Sequence, residues 1–262
     1  MVSPVIENSR RFRPRTVDLS GATLLNLGCG YKTCDADGVV NVDFGIAQRI
    51  AVSPVLNKFT PLLLGRNRIE KFQAVAGSKF VVYDISRGIP ATDSSVDAVY
   101  HSHMLEHLDH DVAPLFISEV RRVLKPGGIH RIAVPDLEFA VRRYIEHLDS
   151  GQTPERHDSF IADFIEQSVR RGAAGTSTQS QPRRFVENLF LGDARNRGET
   201  HQWMYDRCNL THLLERTNFA DVRICSFGDS AIPNWNEYGL EVDKLGHEYK
   251  PGTLYVEARA IK

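Results

Sequence analysis

The chain has 262 residues, 42% of them hydrophobic and 25% charged, with a formal net charge of −1. That is enough chain for one sizeable core with insertions, and the near-neutral balance gives no electrostatic argument for a nucleic-acid partner, which calls for a basic excess. No apolar run approaches the length of a membrane span, and "MVSPVIENSRRFRPRTVDLSG" is too polar for a secretory signal. Residues 1–20 therefore read as a solvated N-terminal arm, whose Arg10, Arg11, Arg13 and Arg15 favour nothing more specific than water. The spacing of Cys29, Cys34, Cys208 and Cys225 fits neither a zinc knuckle nor a disulfide framework, which predicts a reducing, cytoplasmic setting.

Along the chain, apolar runs at Thr23–Leu27, Val39–Asp43, Phe80–Tyr83, Val96–Tyr100 and Ile129–Val134 read as buried parallel strands. Phe44–Lys79, with Pro54 and Pro61, is long for one connection and reads as a helical insertion. "DVAPLFISEVRRVL" carries an apolar helical stripe (Leu115, Ile117, Val120, Val123, Leu124), with Asp111 predicted as its cap and the "KPGG" of Lys125–Gly128 as its stop. From Phe139 to Thr200, helical pieces "EFAVRRYIEHL" and "FIADFIEQSVRR" flank a polar break, as in a lid over a binding site. A helix capped by Asp206, a strand at Val222–Phe227 and an alternating strand at Thr253–Ala260 complete the pattern. The expected organisation is an α/β sheet core over 21–138 and 201–262, interrupted by insertions at 44–79 and 139–200.

"LLNLGCG", Leu24–Gly30, ends a strand in a Gly-x-Gly turn, and Asp43 ends the next strand. Glycines let a ligand approach the backbone, and a carboxylate at that strand end accepts from ribose hydroxyls. A dinucleotide site needs a further glycine opening a helix under the pyrophosphate. Here "GCG" is followed by Tyr31, Lys32 and Thr33, and "YKTCDADG" is a poor helix start, so a nicotinamide oxidoreductase is the weaker alternative. A binding protein without catalysis is a further rival. It is disfavoured because the polar cluster after the fourth strand is intact.

The ordered set "LLNLGCG…GVVNVD", "VVYDISRGIP", "SVDAVYHSHMLEHL" and "RVLKPGGIHRIAVPD" closely resembles class I S-adenosylmethionine-dependent methyltransferases. "SHMLEHL", "AVPDLEF" and "HQWMYD" point within them to the type 11-like group, similar to bacterial methyltransferases of glycan and secondary-metabolite pathways. The resemblance implies a Rossmann-like, doubly wound, mostly parallel seven-stranded sheet with an antiparallel last strand. It implies that Asn26, Gly28, Cys29 and Gly30 line the methionine part of S-adenosylmethionine and that Asp43 takes the ribose hydroxyls. Asp84 would accept from the adenine amino group, with Ile85 against the ring, and Tyr100, His101 and Ser102 would lie under the sulfonium.

"YHSHMLEHLDHD" crowds His101, His103, Glu106, His107, Asp109, His110 and Asp111 together. Transfer to oxygen needs a base for the acceptor proton, and a neutral histidine suits that work. His107 is the expected base, His103 the second choice, and Glu106 their orienting partner. Similar methyltransferases often carry a catalytic histidine where "LEHL" stands. Chelation of Mg²⁺ by His103, His107, Asp109 and Asp111 is the competing reading. Magnesium prefers carboxylates and water to imidazole, so no metal ligands are assigned. Asp136, His201, Trp203 and Tyr205 are the acceptor-site candidates, while the pairs Arg142–Arg143, Arg170–Arg171 and Arg183–Arg184 read as solvated helix faces. The expected acceptor is a small molecule, most plausibly a sugar. Amphipathic helices in both insertions offer a contact for a homodimer.

Overall fold

The structure, a computed structural model, describes residues 19, 21–51, 78–151, 153–169 and 200–262. The arm, most of the first insertion and the second half of the predicted lid, with Arg170–Arg171 and Arg183–Arg184, lie outside the described residues.

Seven strands form one sheet: β1 (Leu24–Leu27), β2 (Val39–Asp43), β3 (Phe80–Val82), β4 (Val96–Ser102), β5 (Leu124–Pro135), β6 (Phe219–Cys225) and β7 (Thr253–Ala260). Their order is β3-β2-β1-β4-β5-β7-β6. The first five run parallel, and β7 is antiparallel to both its neighbours. The switch point between β1 and β4 leaves a crevice at the carboxyl edge, where open α/β sheets hold their ligands. The predicted Val222–Phe227 strand is shifted toward the N-terminus. Buried Phe219 starts the pairing against Ala260, and an irregularity between Ala220 and Arg223, where Asp221 takes a positive φ of 51°, hides the alternation.

The described helices are α1 (Ile46–Ala51), α2 (Ala113–Val123), α3 (Leu137–Asp149), α4 (Pro154–Val169) and α5 (Arg207–Arg216). α2 buries Phe116, Ile117, Val120 and Val123, residues spaced to share one face. Asp111 does not cap it. The amides of Val112 and Ala113 donate instead to the Asp109 carbonyl, so the turn before α2 supplies the acceptor. Asp206 caps α5 as expected, accepting from the amides of Cys208 and Asn209 while the Asn209 side-chain oxygen accepts from the Asp206 amide.

The two faces of the sheet are covered differently. On one, Leu25, Leu27, Val99 and Ile132 pack against α2 and α5. On the other, Leu24, Ala98, Tyr100 and Ala133 pack against Ile232, Trp235 and Leu240. These last residues belong to the connection between β6 and β7, because the link from β1 to β2 forms no helix. Arg131, fully buried in mid-β5, pins that cover. Its guanidinium donates to Glu257 Oε1 at 2.8 Å and to the carbonyls of Ser226, Phe227 and Asp229, and it lies 4.4 Å from the Trp235 ring centroid. An arginine at the sheet centre is tolerated because both terminal nitrogens meet acceptors and the group lies against a ring face.

Candidate active site

The glycine turn sits at the carboxyl ends of β1 and β2. The Gly28 amide donates to Val42 O at 2.8 Å, and the Gly30 amide to Asp43 Oδ2 at 2.8 Å. Gly28 and Gly30 have positive φ values of 61° and 53°, a region that favours glycine. A methyl group on Gly28 would also lie 3.0 Å from Met104 Sδ, so the loop after β4 comes down onto this turn. The other Asp43 oxygen accepts from the Gly45 amide at 2.5 Å, and Gln48 Nε2 donates to Gly30 O. Each Asp43 oxygen thus keeps acceptor capacity beyond its one backbone bond.

Asn26 lies beneath the turn. It donates from Nδ2 to Lys32 O and to Asn41 Oδ1, both at 2.9 Å, while Asn41 holds the Cys34 and Lys79 carbonyls. Asn26 is therefore a brace for the loop that does the work of the missing helix. Burial, reinforced by Asp43, pushes the Cys29 thiol far above its ordinary range, so it is a neutral filler. Asp84 caps the short helical turn Ile85–Arg87, accepting from the Ser86 amide and hydroxyl at 3.1 and 2.6 Å.

At the end of β4 successive side chains diverge. Tyr100 turns to the covered face and donates to Glu241 Oε1 at 2.6 Å; burial pushes that carboxyl up to about 7. His101 turns to the opposite face, with its Nε2 at 3.0 Å from His130 Nε2. Burial lowers His101 to about 4 and carries His130 well below the ordinary range, so the pair is neutral. Only the main chain of Tyr100 and His101 is available to a ligand in the crevice; Ser102 ends the strand.

Beyond it the chain turns sharply through His103, which has a positive φ of 50°, into a short helical turn at Leu105–His107. Glu106 is fully buried there, and neither carboxylate oxygen accepts a hydrogen bond among the described residues. Three imidazoles face its Oε1: His103 Nδ1 at 3.4 Å, His107 Nε2 at 3.8 Å and His201 Nε2 at 4.0 Å. Burial opposes its ionisation, but His103 and His107 outweigh that and hold the carboxyl down at about 2. Burial also lowers His103. The amides of Gln202 and Trp203 both donate to Glu106 O, at 2.7 and 3.2 Å, which is how a distant segment delivers His201. Asp109 and Asp111 are exposed and stand outside this group.

Asp136 caps α3, accepting from the Glu138 amide at 2.9 Å. It also bridges to Tyr205, whose carbonyl accepts from the Leu137 amide at 2.9 Å. Three of the four acceptor candidates, His201, Trp203 and Tyr205, are therefore laid along the carboxyl ends of β4 and β5 by one segment. Tyr205 is buried, whereas Trp203 is 41% exposed with its ring 4.2 Å from that of His110. The cavity behind Trp203 and Tyr205 measures about 90 Å³, room for about three waters. Asn41, Gln48, Met104 and Glu241 shape the site without having stood out in the sequence; their only signals were polar residues in apolar strands or beside a glycine.

Residues 56–132 match the family model of a methyltransferase domain, Methyltransf_11. The matched residues span β3, β4 and most of β5, and with them the turn that carries the Glu106 cluster. No curated protein matches the chain. Among solved structures, it is similar to an S-adenosylmethionine-dependent methyltransferase of Methanosarcina mazei (15% identity, 99% of this chain and 98% of that one, TM-score 0.43). It is also similar to one of Archaeoglobus fulgidus (15%, 92% and 87%, 0.42) and to the 1,6-didemethyltoxoflavin-N1-methyltransferase of Burkholderia thailandensis (14%, 92% and 72%, 0.42). Likeness at that level carries neither a substrate nor a residue's role to this chain.

Proposed function

We propose that the chain transfers a methyl group from S-adenosylmethionine to a hydroxyl of a small acceptor, a sugar by preference. The observation that carries the reading is the meeting of a Gly-x-Gly turn and Asp43 with the Glu106–histidine cluster along one sheet edge. Gly28–Gly30 would admit the methionine end of the cofactor, and Asp43 would accept from the ribose hydroxyls through the lone pairs its backbone bonds leave open. Asp84 and Ile85 would border the adenine, and the main chain of Tyr100–Ser102 the sulfonium. Trp203, half-exposed and tilted against His110, offers an aromatic face of the kind that sugars pack on, with His201 and Tyr205 in the same segment and Asp136 bridged to Tyr205.

In the proposed step the acceptor oxygen attacks in line. Its proton passes to His107 Nε2, and the Glu106 anion stabilises the imidazolium that forms. The ring is held for this by its Nδ1, which lies 3.1 Å from Thr200 O. The four unpaired cysteines are in keeping with a reducing, cytoplasmic setting. The test is transfer from methyl-labelled S-adenosylmethionine to a panel of free and nucleotide-linked sugars. His107→Ala should lose at least about 100-fold in turnover, with S-adenosylhomocysteine affinity within a few-fold of the parent; a fully active variant would refute the base assignment.

A further inference from the structure

The Glu106 cluster leaves both carboxylate oxygens without a hydrogen bond among the described residues. The Thr253 hydroxyl donates to Lys250 O at 2.6 Å, since a carbonyl only accepts. Its oxygen is thereby left to accept from His103, whose Nε2 lies 3.0 Å away. His103 thus donates from Nε2, and its Nδ1 faces Glu106 Oε1 at 3.4 Å. His107 repeats the arrangement in mirror sense. Its Nδ1 donates to Thr200 O at 3.1 Å, and its Nε2 faces the same carboxylate oxygen at 3.8 Å. Three imidazole nitrogens thus converge on one buried carboxylate, neither oxygen of which accepts a hydrogen bond among the described residues.

We propose that Glu106, His107 and His201, with His103 beside them, bind a divalent transition ion of the zinc class. The donor atoms of Glu106, His107 and His201 all lie within 4.8 Å of one another. Around an ion with bonds of about 2.1 Å, neighbouring donors stand roughly 3.0–3.4 Å apart. The two separations from Glu106, 3.8 and 4.0 Å, and the one between His107 and His201, within 4.8 Å, would close to that spacing as the ion binds. Imidazole nitrogens with one carboxylate select borderline ions over magnesium or calcium. The hydrogen bonds from the far nitrogens of His103 and His107 to Thr253 and Thr200 are those by which metal-binding histidines have their tautomer and orientation fixed.

This ligand set differs from the one weighed in the sequence. Asp109 and Asp111 drop out, and His201 enters from the segment docked on the Glu106 carbonyl. The site shares His107 with the proposed base: in the loaded protein Nε2 is a ligand, while the cofactor edge at Asp43 is untouched.

The probe is Zn²⁺ titrated calorimetrically into the full chain after chelator treatment, with Co²⁺ absorbance as a second readout that needs no variant. One equivalent should bind. Mg²⁺ should bind at least about 100-fold more weakly, and Co²⁺ should show the intense bands of a four- or five-coordinate site. Glu106→Gln and His201→Ala, checked for folding by circular dichroism, should each weaken Zn²⁺ by about 100-fold or more. His247→Ala, at an exposed histidine paired with Asp243, should change nothing. Absence of a one-equivalent site, an octahedral-type weak Co²⁺ spectrum, or binding lost with His247 and kept without Glu106 would each overturn the proposal. Titrating S-adenosylhomocysteine into the stripped protein separates the two readings. Cofactor binding without Zn²⁺ binding sinks the metal site alone, and the reverse sinks the methyltransferase reading alone.

Discussion

Gly28 and Met104 show how closely the carboxyl ends of β1 and β4 approach. Any side chain at position 28 meets a positive φ of 61° and the Met104 thioether together. Gly28→Ala should cost about 1–2 kcal/mol, read by urea unfolding. Adding Met104→Ala should recover the steric part and leave the conformational part; full recovery would mean that the turn imposes no backbone strain. At this scale much was legible in the sequence, because glycines, strand-end acids and the "SHMLEHL" histidines are chemically conspicuous. The meeting of His201 with Glu106 was not. It depends on two amides, of Gln202 and Trp203, finding one carbonyl far away in the chain, and backbone bonds leave no mark in side-chain pattern.

The elements divide along the same line. α2 and α5 were readable from apolar spacing, and Asp206 from its capping chemistry, whereas Asp111 misled because the Asp109 carbonyl competes for the same amides. The cover between β6 and β7 was invisible as an element. Ile232, Trp235 and Leu240 anchor it without any period, and its fastener, Arg131, lies in a different strand. Breaking a buried pair leaves the partner charge uncompensated. Arg131→Met should therefore lower stability by about 3 kcal/mol in urea unfolding. Arg223→Met, which removes the more exposed partner of the same Glu257, should cost clearly less. Equal losses would show that Arg131 does not fasten the cover.

For the molecule as a whole, the buried titratable groups set how stability responds to pH. His101 and His130 stay neutral when folded, below the ordinary histidine range. In the unfolded chain they take up protons below about pH 6.5. Each then costs about 1.4 kcal/mol per pH step, and for His101 the loss continues until its folded value near 4 is passed. Glu241 works in the opposite sense. Raised to about 7, it holds a proton that the unfolded chain gives up, so its contribution is full below about pH 4.5 and fades as pH rises through 7. The double variant His101→Leu/His130→Leu should therefore lose thermal stability more gradually between pH 6.5 and 4.5; an unchanged slope would mean the pair is not held neutral. The parallel sheet core was legible from the alternation of apolar strands and helices, while its antiparallel last strand came only with the resemblance. The cover between β6 and β7 was not legible, since it is long and aperiodic. The most direct test of the central claim is calorimetric titration of S-adenosylhomocysteine into the parent chain and Asp43→Ala. One-to-one binding by the parent and at least about 10-fold weaker binding by the variant, as loss of one charged hydrogen-bond acceptor implies, is the predicted result. No binding by the parent, or equal binding by both, would contradict the reading of this edge as a nucleoside site built on Asp43.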